Sequence, residues 1–473
     1  MKNKVFYIIC ILHSVCIPLF STDYTVFKLL SGYIENDITL QKLTSSVKYS
    51  QLQSDISDIS DGWSFTLETG TVSVITGENS KVTLTPSASL SLPNANNFTV
   101  NLETSLTYSD SKVSVQDSSL SFNTDIISST SLVHKITKLK NERNILEAKR
   151  NLQNGFVESE KNFYSGLNSL YSKAVSLITS QLTLYEDQIS LEELKASGYS
   201  ESSSKYRTAK LTVLSDQYQV QEYQHELERQ TKIFADKCGI DYQGDEVMTF
   251  LPSDIPSVKA INITDFNREC YTSIESARWT HYINTLSRQS SSIIGLNLTT
   301  GYTKDNSTTD TDTLDAGSTF SVNSTGLILQ GGISVPVFTD SFSPVYTFGI
   351  SFDPNELRTI PLNRKVNRIE SDQEELDIKD AMSDYETSVI EKTTSLSDLM
   401  WQKESDNEYY TMYKQMEEDY KKYFDLGIIS ESEYKQSQAN RQKYEIEIII
   451  NKIDFLIYNA ETKLLFTRDE EIL

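Results

Sequence analysis

From about Ser129 to the Gly198 turn the chain carries a heptad-like seam with polar interruptions. Leu132, Ile136, Leu139, Arg143 and Leu146 fall at four-three spacing, and Leu167, Leu170, Ala174, Leu177, Gln181 and Leu184 resume it. That spacing puts them on one stripe of a helix. A helix of roughly sixty residues is about 90 Å long at ~1.5 Å per residue. It cannot be folded into a small body and must project from whatever the rest forms. A second helix, from Glu201 to about Lys237, returns to make a long antiparallel pair.

The segment before this pair behaves differently. In "KVTLTPSASLSLP" the residues Val82, Leu84, Pro86, Ala88, Leu90 and Leu92 alternate with Thr and Ser, and "FTVNLETSLTY" does the same with Phe98, Val100 and Leu102. Strict period two predicts strands, with Trp63–Ile75 and Val113–Phe122 as further candidates. Val26, Leu29, Leu30, Tyr33 and Ile34 predict a helix over Phe27–Ile59 ahead of them.

The same order then recurs. A helix is predicted over Asp265–Ser291, strands over "IIGLNLTTGY", "FSVNSTGLILQGGISVPVF" and "VYTFGISF", and a charged helix over Asn363–Tyr423. After a turn at Gly427, a helix over Ser430–Phe466 carries the seam Ile446, Ile449, Ile453, Leu456 and Ala460. Gly198 with Ser200-Glu201-Ser202 matches Gly427 with Ser430-Glu431-Ser432, one residue longer in the second copy. The expected organisation is a tandem duplication at a period of roughly 230 residues. It comprises a first repeat over 22–240, a connector over 241–262 and a second repeat over 263–473. Residues 1–21 read as a secretory signal: Lys2 and Lys4, then an apolar stretch from Val5 to Phe20, then small residues near a cut. That stretch is short for a membrane span, which needs roughly 20 apolar residues. Cys16 offers a less suitable lipidation alternative.

The alternating strands admit two settings. In a soluble sandwich the apolar face packs on a core. In a membrane barrel it meets lipid, the polar face lines a wet lumen, and roughly 9–11 residues span. The polar positions are small Ser, Thr and Asn, and Tyr108, Tyr302 and Tyr346 stand near segment ends, where an aromatic girdle would lie.

Composition narrows the function. A formal net charge of -23 argues against a nucleic-acid partner. His134, His225 and His281 lack ligand-spaced neighbours. "DNSTTDTDTLDAG" has alternating oxygen ligands but no closing glutamate of a calcium loop. Asn97, Asn262, Asn297, Asn306 and Asn323 stand in Asn-x-Ser/Thr triplets, expected by chance in so polar a chain. No phosphate loop, nucleophile elbow or paired catalytic carboxylates occur, so neither an enzyme nor a cofactor is expected. Cys238 and Cys270 flank the connector, either as a disulfide or as two thiols.

With its two glycine turns, this arrangement resembles the TolC family of outer-membrane efflux channels over essentially the whole mature chain. The most specific stretch is "LGIISESEYKQSQANRQKYEIE", Leu426–Glu447, with Gly198–Tyr206 as a weaker copy and "GISVPVF" at Gly332–Phe338 similar to a family strand. The resemblance implies a mainly α fold with β, in which long antiparallel coiled-coil helices form an α-barrel. Strands of three copies would close a β-barrel in outer-membrane lipid, with the helical tunnel in the periplasm. It further implies a passive export duct of a tripartite efflux or type I secretion system. Its partners would be a periplasmic adaptor (membrane fusion) protein and an inner-membrane pump. The alternative is a secreted or periplasmic coiled-coil structural or adhesion protein with a soluble β-domain.

The resemblance also implies that the two turns form the periplasmic aperture, with acidic and aromatic side chains around it. The acid falls on Glu433, with Tyr423 or Phe424 as the aromatic. In the first turn the matching position is Ser204, a departure that leaves three acids in the ring unless Glu201 or Glu431 also faces inward. The family uses two strands per half, whereas up to four alternating stretches stand in each half here. Long strands with external hairpins are the expectation, a larger barrel the alternative.

Overall fold

A computed structural model describes residues 24–76, 80–109, 111–242, 250–290, 294–306, 312–322, 326–339 and 342–467. The predicted signal segment lies outside them. The chain divides into two compact units, each assembled from three stretches.

The first unit comprises Met1–Leu40, Phe156–Ile263 and Lys392–Leu464. It holds α1 (Val26–Glu35) and α4 (Ser204–Lys237), α7 (Glu431–Leu464), and the C-terminal parts of α3 (Thr130–Ala196) and α6 (Pro354–Asp425). On α3, Phe163, Leu167, Leu170 and Ala174 recur at helical spacing and form a core with Leu29, Leu227, Phe234, Ile446 and Ile453. Phe163, Leu167 and Ile453 are fully buried. This is the stripe that the heptad spacing predicts. The connector is part of this core, through Tyr242, Phe250 and Ile255. It is also tied by Asn459, whose Oδ1 accepts from Ile261 N at 2.8 Å and whose Nδ2 donates to Lys259 O at 2.9 Å.

The second unit comprises Gln41–Gly155, Thr264–Glu391 and Leu465–Leu473. It holds most of α2 (Ile38–Ser60), the N-terminal parts of α3 and α6, α5 (Thr272–Ser290) and ten strands. Charged side chains tie its helices. Glu275, on α5, takes Arg143 of α3 in a bidentate pair, and Arg150 reaches it at 3.1 Å. Glu374, on α6, takes Arg288, Asn284 and His281 of α5 at 2.8–2.9 Å. A buried ion pair of this kind costs desolvation but is far costlier to break on one side.

Three helix boundaries differ from expectation; the helix expected from Asp265 starts only at Thr272, behind short 3-10 turns at Ile263–Asp265 and Arg268–Cys270. The single helix over Phe27–Ile59 is interrupted at Asn36–Asp37, where Asn36 N–H closes onto Gly32 O and Asp37 Oδ1 accepts from Thr39 N at 2.8 Å, restarting the helix. Helix α6 begins at Pro354, not near Asn363. Asp353 accepts from Asn355 N at 2.8 Å, and proline at a first helical position sacrifices no hydrogen bond.

The strands form one antiparallel sheet: β1 (Ser64–Glu68), β2 (Val72–Ile75), β3 (Lys81–Leu84), β4 (Ser87–Leu92), β5 (Phe98–Ser109), β6 (Lys112–Ile127), β7 (Ile294–Asp305), β8 (Asp312–Val322), β9 (Leu327–Val337) and β10 (Val345–Phe352). Because β3 and β4 both pair with β5, and β2 and β1 pair with them in turn, each couple is one interrupted row. The sheet therefore has eight rows in the order β1-β4-β5-β6-β7-β8-β9-β10. Each half of the chain gives four rows, and all lie side by side rather than standing apart as external hairpins. The predicted strand Val82–Leu92 breaks at Thr85–Pro86. Proline cannot donate to the ladder, and the neighbouring row breaks at the same level, where Thr85 Oγ1 takes Thr71 N at 3.1 Å.

Candidate functional site

Register sorts the sheet's side chains into two faces. Across successive rows, Phe65 pairs with Leu90, Leu90 with Val100, Val100 with Phe122, and Leu102 with Leu120. The series continues with Leu120 opposite Tyr302, Tyr302 opposite Leu314, Phe320 opposite Leu329, and Leu329 opposite Ile350. Opposed residues share a face, so one face is predominantly apolar from edge to edge, with Thr300, Lys304 and Ser318 among its exceptions. It is open as well: Leu67 is 73% exposed, Val113 69%, Phe348 87% and Ile350 78%. A contiguous apolar surface of this extent is foreign to a soluble monomer.

The opposite face carries Ser89, Asn101, Ser121, Gly301, Asp315 and Ser334 in register with one another. Its polar groups bond locally. Asp125 accepts from Asn97 at 2.7 Å and from Asn297 at 2.9 Å, and Asn97 also donates to Thr130 Oγ1 at 2.9 Å. Two of the Asn-x-Ser/Thr asparagines are thereby engaged. Hydroxyls and amides replace a core on this side, as a water-lined wall requires.

The two glycine turns belong to the first unit. Each closes its helix with the same pair of backbone bonds: Gly198 N to Lys195 O at 3.1 Å and Tyr199 N to Leu194 O at 3.2 Å, against Gly427 N to Phe424 O and Ile428 N to Tyr423 O, both 2.9 Å. Both glycines are left-handed, with φ of +82° and +70°, and a side chain on either would meet nothing within 4 Å. Conformation, not space, requires glycine there.

The returning helices start differently. Ser203 caps α4 through its hydroxyl, accepting from Tyr206 N at 3.3 Å. Helix α7 starts with a capping box: Ser430 Oγ accepts from Glu433 N at 3.3 Å, and Glu433 Oε2 accepts from Ser430 N at 2.7 Å. Glu433, expected at an aperture, thus has a local task in its own helix. Glu431 is exposed and pairs with Lys435 at 2.6 Å, which holds its carboxyl below the usual range. Phe424 stacks on Tyr434 at 5.2 Å, while Tyr423 is 45% exposed. Glu201 and Ser204 are exposed at the first turn. The start of α7 also meets the end of α3, where Ser432 donates to Glu192 and Gln436 to Glu186, both at 3.2 Å.

Cys238 and Cys270 are both buried and in no disulfide, so that alternative is not formed; Cys238 packs in the core of the first unit. Burial pushes its thiol up to about 12. His134 lies 3.3 Å from Asp61, His225 3.7 Å from Glu228 and His281 2.9 Å from Glu374. Of the calcium-like stretch, residues 307–311 lie outside the described residues and 312–317 belong to β8. Among the described residues no group of three His, Cys, Asp or Glu side chains is placed to hold a metal. No described helix is long and apolar enough to cross a membrane.

Comparison with known families gives the chain its kinship. The TP096X N-terminal domain matches residues 29–255 and the TP096X C-terminal domain matches residues 256–469. The chain belongs to the TP096X family. The boundary between these two TP096X domains falls within the packed connector. No curated protein matches the chain. Among solved structures it is similar to the outer-membrane channel OprN, at 14% identity over 92% of this chain and 88% of that one, with a TM-score of 0.48. It is also similar to CusC, at 12% identity over 96% of both chains with a TM-score of 0.46. A third is the CmeC outer membrane channel of Campylobacter jejuni, at 12% identity over 92% and 83% with a TM-score of 0.45. At these scores it is the sheet register and the turn geometry of this TP096X chain that bear on function.

Proposed function

We propose that this TP096X protein is a passive outer-membrane export channel. The observation that carries the reading is the apolar face, in register across all eight rows and carrying exposed large side chains in seven of them. Backed by a face of Ser, Thr and Asn, it suits a wall between lipid and water. A soluble β-domain would have to cover that face. Copies of the chain close the sheet into one barrel, three in number on the TolC resemblance. On the same resemblance, the helices of the first unit form a periplasmic tunnel with its aperture at the Gly198 and Gly427 turns. Export would draw its energy from an inner-membrane pump coupled through a periplasmic adaptor. The protein itself binds no cofactor and does no covalent chemistry.

At the turns, Tyr423, Phe424, Glu431 and Glu433 surround the proposed aperture together with Glu201 and Ser204. Carboxylates gathered near an axis repel one another and attract cations. Detergent extraction from an outer-membrane fraction, oligomer mass and conductance in planar bilayers test the channel. A trimer that conducts is the expected result; a detergent-free monomer that leaves bilayers silent overturns it. Block by divalent or trivalent cations, weakened in Glu433→Ala, tests the aperture, and equal block of variant and wild type removes Glu433 from it.

A further inference from the structure

The sheet ends in two edges that have no partner among the described residues. β10 pairs only with β9, β1 only with β4, and β2 only with β3. β10 carries none of the usual protection, and the β1–β2 edge is guarded only by the shortness of its strands and by Glu68. β10 reads VYTFGISF, β1 SFTLE and β2 VSVI, with no proline or lysine, although long exposed edges are normally blunted by such residues.

The two edges are complementary. Every pairing in the sheet is antiparallel, and the rows number eight, so β1–β2 and β10 run in opposite directions. Laid against each other from different copies, they continue the antiparallel alternation without a fault. Their faces agree too. Phe65, Leu67, Val72 and Val74 on one edge, and Tyr346, Phe348, Ile350 and Phe352 on the other, share the apolar face by register. An odd number of rows would set parallel strands at the junction.

We propose that β10 of one copy pairs with the β1–β2 row of the next, so that each copy lends all eight rows to the barrel. This rests on the channel reading. Such a head-to-tail contact closes into a ring if the rotation per copy allows. With three copies the ring holds about 24 rows, twice the number that two strands per half would give. At ~4.8 Å between strands and a tilt of ~40°, that is about 48 Å between facing backbones, against about 24 Å for the smaller ring. Side chains narrow each by roughly 10 Å. The inner wall is small hydroxyls and amides with scattered charges, Glu103 and Asp315 among them. The fitting cargo class is bulky hydrophilic solute, selected by width rather than by charge.

Paired cysteines test the junction. Ser64→Cys, Thr66→Cys or Glu68→Cys in β1 is combined with Thr347→Cys, Gly349→Cys or Ser351→Cys in β10 in the full chain in membranes, and oxidised. The expected result, for at least one pair, is disulfide-linked species at two and three times the chain mass, lost on reduction and absent from every single variant. Links confined within one chain, or none in any pair, overturn the proposal. The width is tested independently by a neutral polymer about 30 Å across added to the outer side of the wild-type channel. It is expected to enter and reduce the current. A conducting channel that excludes it overturns the wide ring and leaves the channel reading standing. Silent bilayers remove the channel reading, while the cross-links still decide the junction.

Discussion

The two units of the chain treat apolar side chains in opposite ways. In the first, Phe163, Leu167 and Ile453 are fully buried among the helices of their own unit. In the second, Leu67, Phe348 and Ile350 are more than two-thirds exposed although they stand in regular, hydrogen-bonded strands. Water drives the first arrangement, since burial of each large side chain is worth about 1.5–3 kcal/mol. It would oppose the second. On the channel reading proposed above, the sheet meets lipid on one side, and the helices of the first unit do not.

The largest expected effect breaks the water-driven core. Phe163→Ala should destabilise the first unit by about 3–5 kcal/mol in chemical denaturation followed by circular dichroism. Phe348→Ala, measured the same way in detergent, should cost under about 1 kcal/mol, because no packed cavity is left behind.

A charge on the sheet sharpens the contrast between its faces. Leu102→Arg should cost about 2–4 kcal/mol in lipid if it lies near the midplane. Asn101→Arg, one residue away on the polar face, should be tolerated. Urea unfolding of the two variants in vesicles reads the difference. Equal costs would contradict the assignment of faces.

Titration separates the units in sign. Burial raises the carboxyl of Asp454, in the first unit, from its ordinary 3.8 to about 6, although Asn168 donates to it at 2.5 Å and opposes the rise. Its ionisation therefore costs stability above pH 6, and the cost is relieved as pH falls from 6 towards 3.8. Asp454→Asn should raise stability at pH 7 by about 1–2 kcal/mol, with the gain shrinking below pH 6. Glu374, in the second unit, is held at about 2 chiefly by Arg288 against an ordinary 4.5. Its contribution is full above pH 4.5 and is lost as pH falls from there towards 2. Melting curves of Asp454→Asn and Glu374→Gln across this range should move in opposite directions.

The smallest effects compare the turns. Ser203→Ala removes a single cap, and Ser430→Ala removes half of a capping box, each worth about 1 kcal/mol. Gly198→Ala and Gly427→Ala should each cost about 1 kcal/mol through left-handed strain alone, since neither site is crowded. Hydrogen exchange at the ends of α3, α4, α6 and α7 measures all four.

Much of this is legible in the sequence where one physical rule acts alone. Period two marks Leu90, Val100 and Phe122 as one face, and four-three spacing marks Leu167, Leu170 and Ala174 as buried. Reading fails where two rules compete. The charged run over Asn363–Tyr423 is readable, but the Asp353-Pro354 start lies upstream of it, and Pro361 stands inside the helix. Pro86 sat within an alternation regular enough to hide the break that it causes. Ser430 and Glu433 have capping-box spacing, a local role that the family pattern left unread. Four alternating stretches per half were readable, but their union in one sheet was not, because pairing between β6 and β7 spans more than 160 residues of chain. Arg143 fell on the helical seam, while its partner Glu275 stands in another helix, out of reach of local spacing.

The apolar face meeting lipid is the claim on which the rest stands. Single cysteines at Val100 and Leu102, and at Asn101 and Glu103, are labelled with an environment-sensitive fluorophore in reconstituted vesicles and quenched in turn by lipid-borne nitroxide and by aqueous iodide. An alternating pattern is predicted, with nitroxide quenching Val100 and Leu102 and iodide quenching Asn101 and Glu103. Iodide quenching at all four positions, with nitroxide silent, would contradict it.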